Sequence, residues 1–200
     1  MSYLCGIDEA GRGPLAGPVT AAAVVLGPET PRELLIDSKR LSPVKREVAA
    51  AEIRRSALYW GVGWADHREI DALNIHNAAL LAMRRAYYSI TLAMRSRGVP
   101  RIPISEVLVD GKFAPDLGTE TPVRPVIGGD RTVPEISAAS ILAKTSRDRW
   151  MVERDLLFPG YAFSVHKGYP TARHRESIEK LGPAPIHRRS FRLVPSRSAS

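Results

Sequence analysis

The sequence predicts an α/β domain in which short apolar strands alternate with long helices, and three observations carry that prediction. Val19-Thr20-Ala21-Ala22-Ala23-Val24-Val25-Leu26 is almost wholly apolar and stops at Gly27-Pro28, as a strand buried on both faces does. Leu73, Ala78, Leu80, Leu81, Met83 and Tyr87 recur at helical spacing and form one apolar stripe. Val107-Leu108-Val109 runs straight into Asp110-Gly111, and open α/β sheets place active groups at such strand ends.

A chain of 200 residues suffices for one well-packed domain with a small appendage. Its 44% hydrophobic and 25% charged content is ordinary for a globular protein, and no apolar run reaches the length of a membrane span. Met1-Ser2-Tyr3 leads directly into the first strand, without the basic start and apolar stretch of a signal peptide. The single cysteine, Cys5, has no partner for an internal disulfide and lies within a strand, so it reads as a buried inert thiol. A cytoplasmic protein with no membrane association is expected. The net charge of +8, from 29 Lys and Arg against 21 acids, points to a polyanionic partner such as nucleic acid.

In chain order, Tyr3-Leu4-Cys5-Gly6-Ile7 reads as a short buried strand. It enters Gly6-Ile7-Asp8-Glu9-Ala10-Gly11-Arg12-Gly13-Pro14-Leu15-Ala16-Gly17-Pro18, the chemically densest run of the chain. Adjacent strand residues face opposite ways, so for Asp8 and Glu9 to project together the chain must bend, and the glycines supply the bend. They also leave backbone amides bare for a phosphate or sugar. After the second strand comes the loop Asp37-Ser38-Lys39-Arg40-Leu41. Ser42 then suits an N-cap and Pro43 the first position of a helix reaching Ser56. Tyr59, Val62 and Trp64 mark a third strand in a meander with the first two. The longest helix spans 71–97, where Asn74 and Asn77 could reach a phosphate or cap the helix start.

A fifth strand, Val123 to Ile127, leads through Gly128-Gly129-Asp130 to a helix over 134–158. Asp130 could equally complement a helix dipole. Ser137, Ser140, Lys144 and Asp148 share one side of that helix, and Arg147 and Arg149 add charge. Past Pro159-Gly160 the composition changes. Aromatic and basic residues precede a short helix over 171–181 and a Pro-rich basic tail, which suggests either nucleic-acid contact or disorder.

Asp8, Glu9, Asp110 and Asp130 thus come from strand ends and a helix start in a basic protein. Oxygen ligands without cysteine or paired histidines select magnesium or manganese over zinc. A pair of such ions suits in-line attack on a phosphodiester, which is nuclease chemistry. Neither a Ser-His-Asp order nor a reactive cysteine offers a coherent rival.

Several motifs together resemble the bacterial ribonuclease HII family. They are the Gly6–Pro18 run, Asp37-Ser38-Lys39, Asn74-Ile75, Asp110-Gly111, Gly129-Asp130, Ala138-Ala139-Ser140-Ile141-Leu142-Ala143-Lys144, Arg147-Asp148-Arg149, Gly182-Pro183 and His187-Arg188-Arg189-Ser190-Phe191. The resemblance implies a ribonuclease H-like fold: a central five-stranded mixed sheet flanked by helices, with a short C-terminal helical extension. On that basis 1–158 is the catalytic domain and 159–200 the extension with its basic tail.

The resemblance further implies a monomeric metal-dependent endonuclease acting on RNA–DNA hybrids and on duplex DNA containing ribonucleotides. It would cut 5′ of a single embedded ribonucleotide by two-metal hydrolysis, leaving a 3′-hydroxyl and a 5′-phosphate. Asp8, Glu9, Asp110 and Asp130 match the acids that hold Mg2+ or Mn2+. Gly11-Arg12-Gly13 matches the loop expected to recognise the ribose 2′-hydroxyl, and Tyr169 the tyrosine that stacks on the following deoxyribose. Lys39, Asn74, Lys144 and Ser146 fit phosphate contacts. Two positions depart from the family's usual pattern: Gly128 stands where a lysine is common, and Pro170 where glycine follows the tyrosine.

Overall fold

The structure is a computed structural model and describes residues 2–35, 41–96 and 102–194. Five strands form one sheet in the order β3-β2-β1-β4-β5. They are β1 (Tyr3–Ala10), β2 (Val19–Val25), β3 (Tyr59–Ala65), β4 (Ile104–Asp110) and β5 (Val123–Val126). The meander β1-β2-β3 is antiparallel, and β4 and β5 add parallel to β1. This is the mixed sheet expected from the sequence. β5 lies at the edge, where Pro125 removes no ladder donor from a central strand.

Both faces of the sheet are covered. Cys5, Ile7, Ala21 and Ala23 pack on one face against α2 (His67–Ser96) through Ala79, Ala82, Met83 and Ile90. On the other face Ala22 and Val24 meet α1 (Pro43–Ser56) and α4 (Pro134–Leu157), whose small residues Ala138, Ala139 and Ala143 allow close approach. Gly6 makes that approach possible, because a Cβ there would overlap the Glu135 backbone. Ser42 caps α1 by accepting from the Lys45 amide at 3.3 Å, with Pro43 in the first turn.

Some local features differ from the sequence reading. α2 begins earlier than expected and is interrupted at Asn74, whose backbone turns to φ 65° and ψ 164°. The Asn74 side chain then accepts from the amides of His76 and Asn77 at 2.9 and 3.1 Å, restarting the helix as a cap. Two single-turn helices, α3 (Gly129–Thr132) and α5 (Phe163–His166), were not expected. α6 (Ala172–Leu181) follows the N-cap Thr171. The Asp37–Arg40 stretch, including Lys39, lies outside the described residues.

The segment after α4 folds back over the loop between β1 and β2. Leu15 and Ala16 join Met151, Tyr161, Phe163, Ile178 and Ile186 in a separate apolar cluster. Backbone bonds fasten the layers: Leu15 N–H donates to Gly168 O at 2.7 Å, and Gly17 N–H to Ile186 O at 2.9 Å. Asp71 on α2 accepts from the amides of Arg189 and Ser190, each at 2.9 Å.

His166, His174 and His187 meet beside Phe163 in that cluster. The Nε2 atoms of His174 and His187 lie 3.0 Å apart, and each ring turns its Nδ1 to a backbone carbonyl, of Tyr169 and Ala184. Burial lowers both imidazoles from the usual histidine range to about 4. The unfolded chain therefore takes up these protons first. Their contribution to stability is complete above pH 6.5 and is lost as pH falls from there towards about 4. An NMR titration should find both rings still uncharged at about pH 5.5; titration of either near its unperturbed value contradicts their burial as neutral groups.

Candidate active site

The register of the sheet gathers the acids. β1 pairs with β4 so that Ile7 lies beside Val109, and the next residues outward, Asp8 and Asp110, become neighbours across the two strands. Asp110 pairs in turn with Val126, and three residues past that strand α3 begins and brings Asp130 back. The Asp130 amide donates to Asp110 Oδ1 at 3.2 Å. Asp8 and Asp130 are buried, and Glu9 and Asp110 are half-buried.

One expectation fails here. β1 continues without a bend through Asp8 and Glu9 to Ala10. Asp8 pairs with Ala22, on the α4 face, and Glu9 with Ala21, on the α2 face, yet the Glu9 side chain still reaches a hydrogen bond with the Asp8 carboxyl and the groove beside Ser140 and Lys144. The turn comes only at Gly11, where φ is +96°.

Asp8 stands well above the ordinary carboxylate range, first through burial, then through repulsion from Glu9 and Asp110. A hydrogen bond from Ser140 on α4 and one from the Glu9 amide, at 2.7 Å, work against that rise. Burial also raises Glu9, opposed by Arg12, whose Nη1 lies 3.3 Å from Glu9 Oε1. A carboxyl whose folded pKa is raised favours the fold while protonated and costs stability as pH rises through that pKa. Asp8→Asn should therefore raise the unfolding temperature of the metal-free protein at neutral pH by a few degrees, for a gain of about 1 kcal/mol or more. Calorimetry with chelator present checks this; an unchanged or lower value contradicts the repulsion.

By donor type, a site of carboxylate oxygens alone fits a hard divalent cation, which would also relieve the repulsion at Asp8. Among the described residues no three such side chains are already drawn together as a ligand set. Gly128 opens α3 in the left-handed conformation at φ 68°, with open space where a Cβ would stand. The Cβ of a lysine would meet no neighbour there, only the backbone strain that glycine avoids.

Next to the acids lies an open groove of about 400 Å³, lined by Glu9, Gly11, Arg12, Gly13, Lys144 and Tyr169 among others. Lys144 pairs with Asp148 at 2.8 Å and stands 5.5 Å from the centre of the Tyr169 ring. Arg46 of α1, which the sequence reading left as a solvated residue, also lines the groove. Ser146 is half-buried on α4 and is not among the groove's lining residues. Asn74 is exposed and occupied as a cap.

Beneath the groove are two side chains whose roles the sequence did not reveal. Arg147 and Arg188 are both fully buried. Arg147 donates to the carbonyls of Pro18, Ala16 and Lys167 at 2.9, 3.0 and 2.9 Å. Arg188 donates to Gly17, Arg12, Gly11 and Pro18 at 2.9, 3.0, 2.6 and 3.1 Å. Burial lowers them to about 10 and about 9, so both remain cations at neutral pH. No ion pair to either is formed among the described residues. The tail's basic character thus includes a residue turned wholly inward.

Comparison with solved structures places the architecture among the ribonuclease H-like folds. The PCNA:RNase HII complex from Archaeoglobus fulgidus superposes with a TM-score of 0.74 at 25% identity, covering 96% of each chain. Bst-RNase HIII in complex with Mn2+ gives a TM-score of 0.74 at 16% identity, over 96% of this chain and 68% of that one. The family described as Ribonuclease HII matches residues 5–194. A ribonuclease HII from Halorhodospira halophila is 58% identical over 189 residues, 94% of this chain and 91% of the relative. The chain belongs to the ribonuclease HII family, and it is a ribonuclease H, of a metal-dependent family that acts on the RNA of RNA–DNA hybrids. Among the described residues no helix is long and apolar enough to cross a membrane.

Proposed function

We propose that this ribonuclease also incises duplex DNA on the 5′ side of a single embedded ribonucleotide, working as a monomer in the cytoplasm. The observation that carries the reading is the joint lining of one groove by Gly11-Arg12-Gly13 and Tyr169, directly beside Glu9. The bare amides of the loop suit a ribose 2′-hydroxyl, the group that distinguishes RNA from DNA. The half-exposed Tyr169 ring suits stacking on the next sugar, a deoxyribose at the junction. Lys144 and Arg46, with their charges at the groove, suit the flanking phosphates; Lys39 is assigned the same role from sequence alone.

Asp8, Glu9, Asp110 and Asp130 would hold Mg2+ or Mn2+. When bound, two such ions supply the positive charge that favours a hydroxide nucleophile and stabilises the entering and leaving oxygens of an in-line displacement. The buried Asp8, held by Ser140 and the Glu9 amide, fixes one carboxylate on the rigid sheet. Asp110 fixes the second at the adjoining strand end, with Asp130 tied to it through its amide. The products are a 3′-hydroxyl and a 5′-phosphate. A basic protein gains encounter rate with such a polyanion from its net charge of +8.

The test offers purified protein a duplex with one ribonucleotide, a continuous RNA–DNA hybrid and all-DNA duplex, with magnesium, manganese or chelator. Both ribonucleotide-containing substrates should be cut with metal, neither with chelator, and the DNA should stay whole. An intact single-ribonucleotide duplex with either metal contradicts the reading. Cleavage of all-DNA duplex would instead mark a DNA nuclease on the same fold.

A further inference from the structure

We propose that Arg188 and Arg147 are positioning residues for ribonucleotide recognition: they grip the β1–β2 loop from beneath, aim the Arg12 and Gly13 amides into the groove, and fix that loop's distance from Tyr169. The inference rests on the reading that this loop meets the 2′-hydroxyl.

In a planar trans peptide the carbonyl of one residue and the amide of the next point in opposite directions. Arg188 Nη2 holds Gly11 O at 2.6 Å, which sets the Arg12 amide on the opposite side of the chain. Its Nη1 holds Arg12 O at 3.0 Å, which does the same for the Gly13 amide. Neither amide makes a hydrogen bond to another described residue. Both flank the groove, so one guanidinium below presets two donors above.

Arg147 supplies the second dimension. Its three donors span Ala16, Pro18 and Lys167, joining the loop to the segment that carries Tyr169. The same guanidinium lies 5.9 Å from the Tyr169 ring centre. The Leu15 amide ties the loop to Gly168, next to Tyr169, at 2.7 Å. Reader and stacking ring are thereby held at one spacing, the one at which a ribose and its following deoxyribose must fit.

Filler residues would serve a purely structural role. Buried charges with only neutral partners are costly to desolvate, and well-packed apolar side chains often replace them without loss. What an aliphatic residue or a lysine lacks is the rigid fork that holds several carbonyls at fixed angles. The fork bears on geometry, so its loss should alter selectivity as well as stability.

The experiment uses full-length Arg188→Lys and Arg147→Lys, checks folding by circular dichroism and thermal unfolding, and measures kcat/KM on two substrates. A long hybrid presents a 2′-hydroxyl at every register, whereas a single ribonucleotide tolerates only one. The folded lysine variants should lose about 100-fold on the single-ribonucleotide duplex, the scale of a misplacement near 1 Å, and much less on the hybrid. An equal loss on both substrates, or a wild-type ratio, in folded variants overturns the positioning role. So does loss of fold in both variants, which would assign the pair to stability alone. Wild-type protein that cuts hybrids and ignores the single ribonucleotide overturns the underlying reading, a separate outcome visible before any variant is made.

Discussion

Asp110→Asn is expected to lower cleavage of every substrate by about a thousandfold or more while leaving the fold and duplex binding in place. A divalent ion contributes several kcal/mol of charge stabilisation to such a reaction, and each 1.4 kcal/mol is tenfold in rate, about 10³ in all. Asparagine keeps the shape and still offers Oδ1 to the Asp130 amide, which is 3.2 Å away, so the local structure has no reason to change. Asp110 is half-buried at the end of β4, and asparagine matches its size, so the substitution opens no cavity. The check is single-turnover cleavage beside circular dichroism and a binding titration. Turnover within tenfold of wild type would remove Asp110 from the site.

Gly11→Ala should be the most damaging small substitution in the loop. The backbone at φ +96° is strained for any residue with a Cβ, at about 1–3 kcal/mol. That Cβ would also overlap the Nε of Arg147, a buried side chain with three carbonyl partners and no room to retreat. Overpacking of this kind costs a further 1–3 kcal/mol or so. Together they predict a fall of roughly 5 to 20 °C in unfolding temperature for a domain of this size. Gly13→Ala is the internal comparison: its φ is not positive, and its added Cβ would come no closer than 3.8 Å to Tyr169. A Gly11→Ala protein as stable as Gly13→Ala would contradict the loop's account.

β2 was legible because burial on both faces makes it a continuous apolar run, closed by Gly27-Pro28. The acids followed from the same reading: a carboxylate after Val107-Leu108-Val109 has to emerge where β4 leaves the sheet. Asn74 was less so. Its left-handed backbone and its capping of the helix beyond are one local choice, and a 3.6-residue stripe passes over it unbroken. The meeting of Asp8 and Glu9 was not legible in this form: β1 runs on through both to Ala10, with no bend between them, and the two carboxyls still meet through a side-chain hydrogen bond.

Arg147 and Arg188 were illegible for a different reason. An arginine in a polar helix face or a basic tail reads as solvated, and only a cavity lined by carbonyls from distant segments reverses that. The carbonyls come from Gly11, Arg12, Ala16, Gly17, Pro18 and Lys167. The three histidines at 166, 174 and 187 show the same thing, since no sequence spacing signals their stacking. What periodicity conveys is the face an element buries. What it omits is which backbone, from far along the chain, completes a polar pocket.

The most direct test of the account moves one ribonucleotide stepwise along an otherwise identical DNA duplex and maps each cut at nucleotide resolution. The cut should follow the ribonucleotide, always on its 5′ side, and the all-DNA duplex should remain whole. A cut that stays at one sequence position, or that appears without any ribonucleotide, would contradict recognition of the 2′-hydroxyl by the Gly11-Arg12-Gly13 loop.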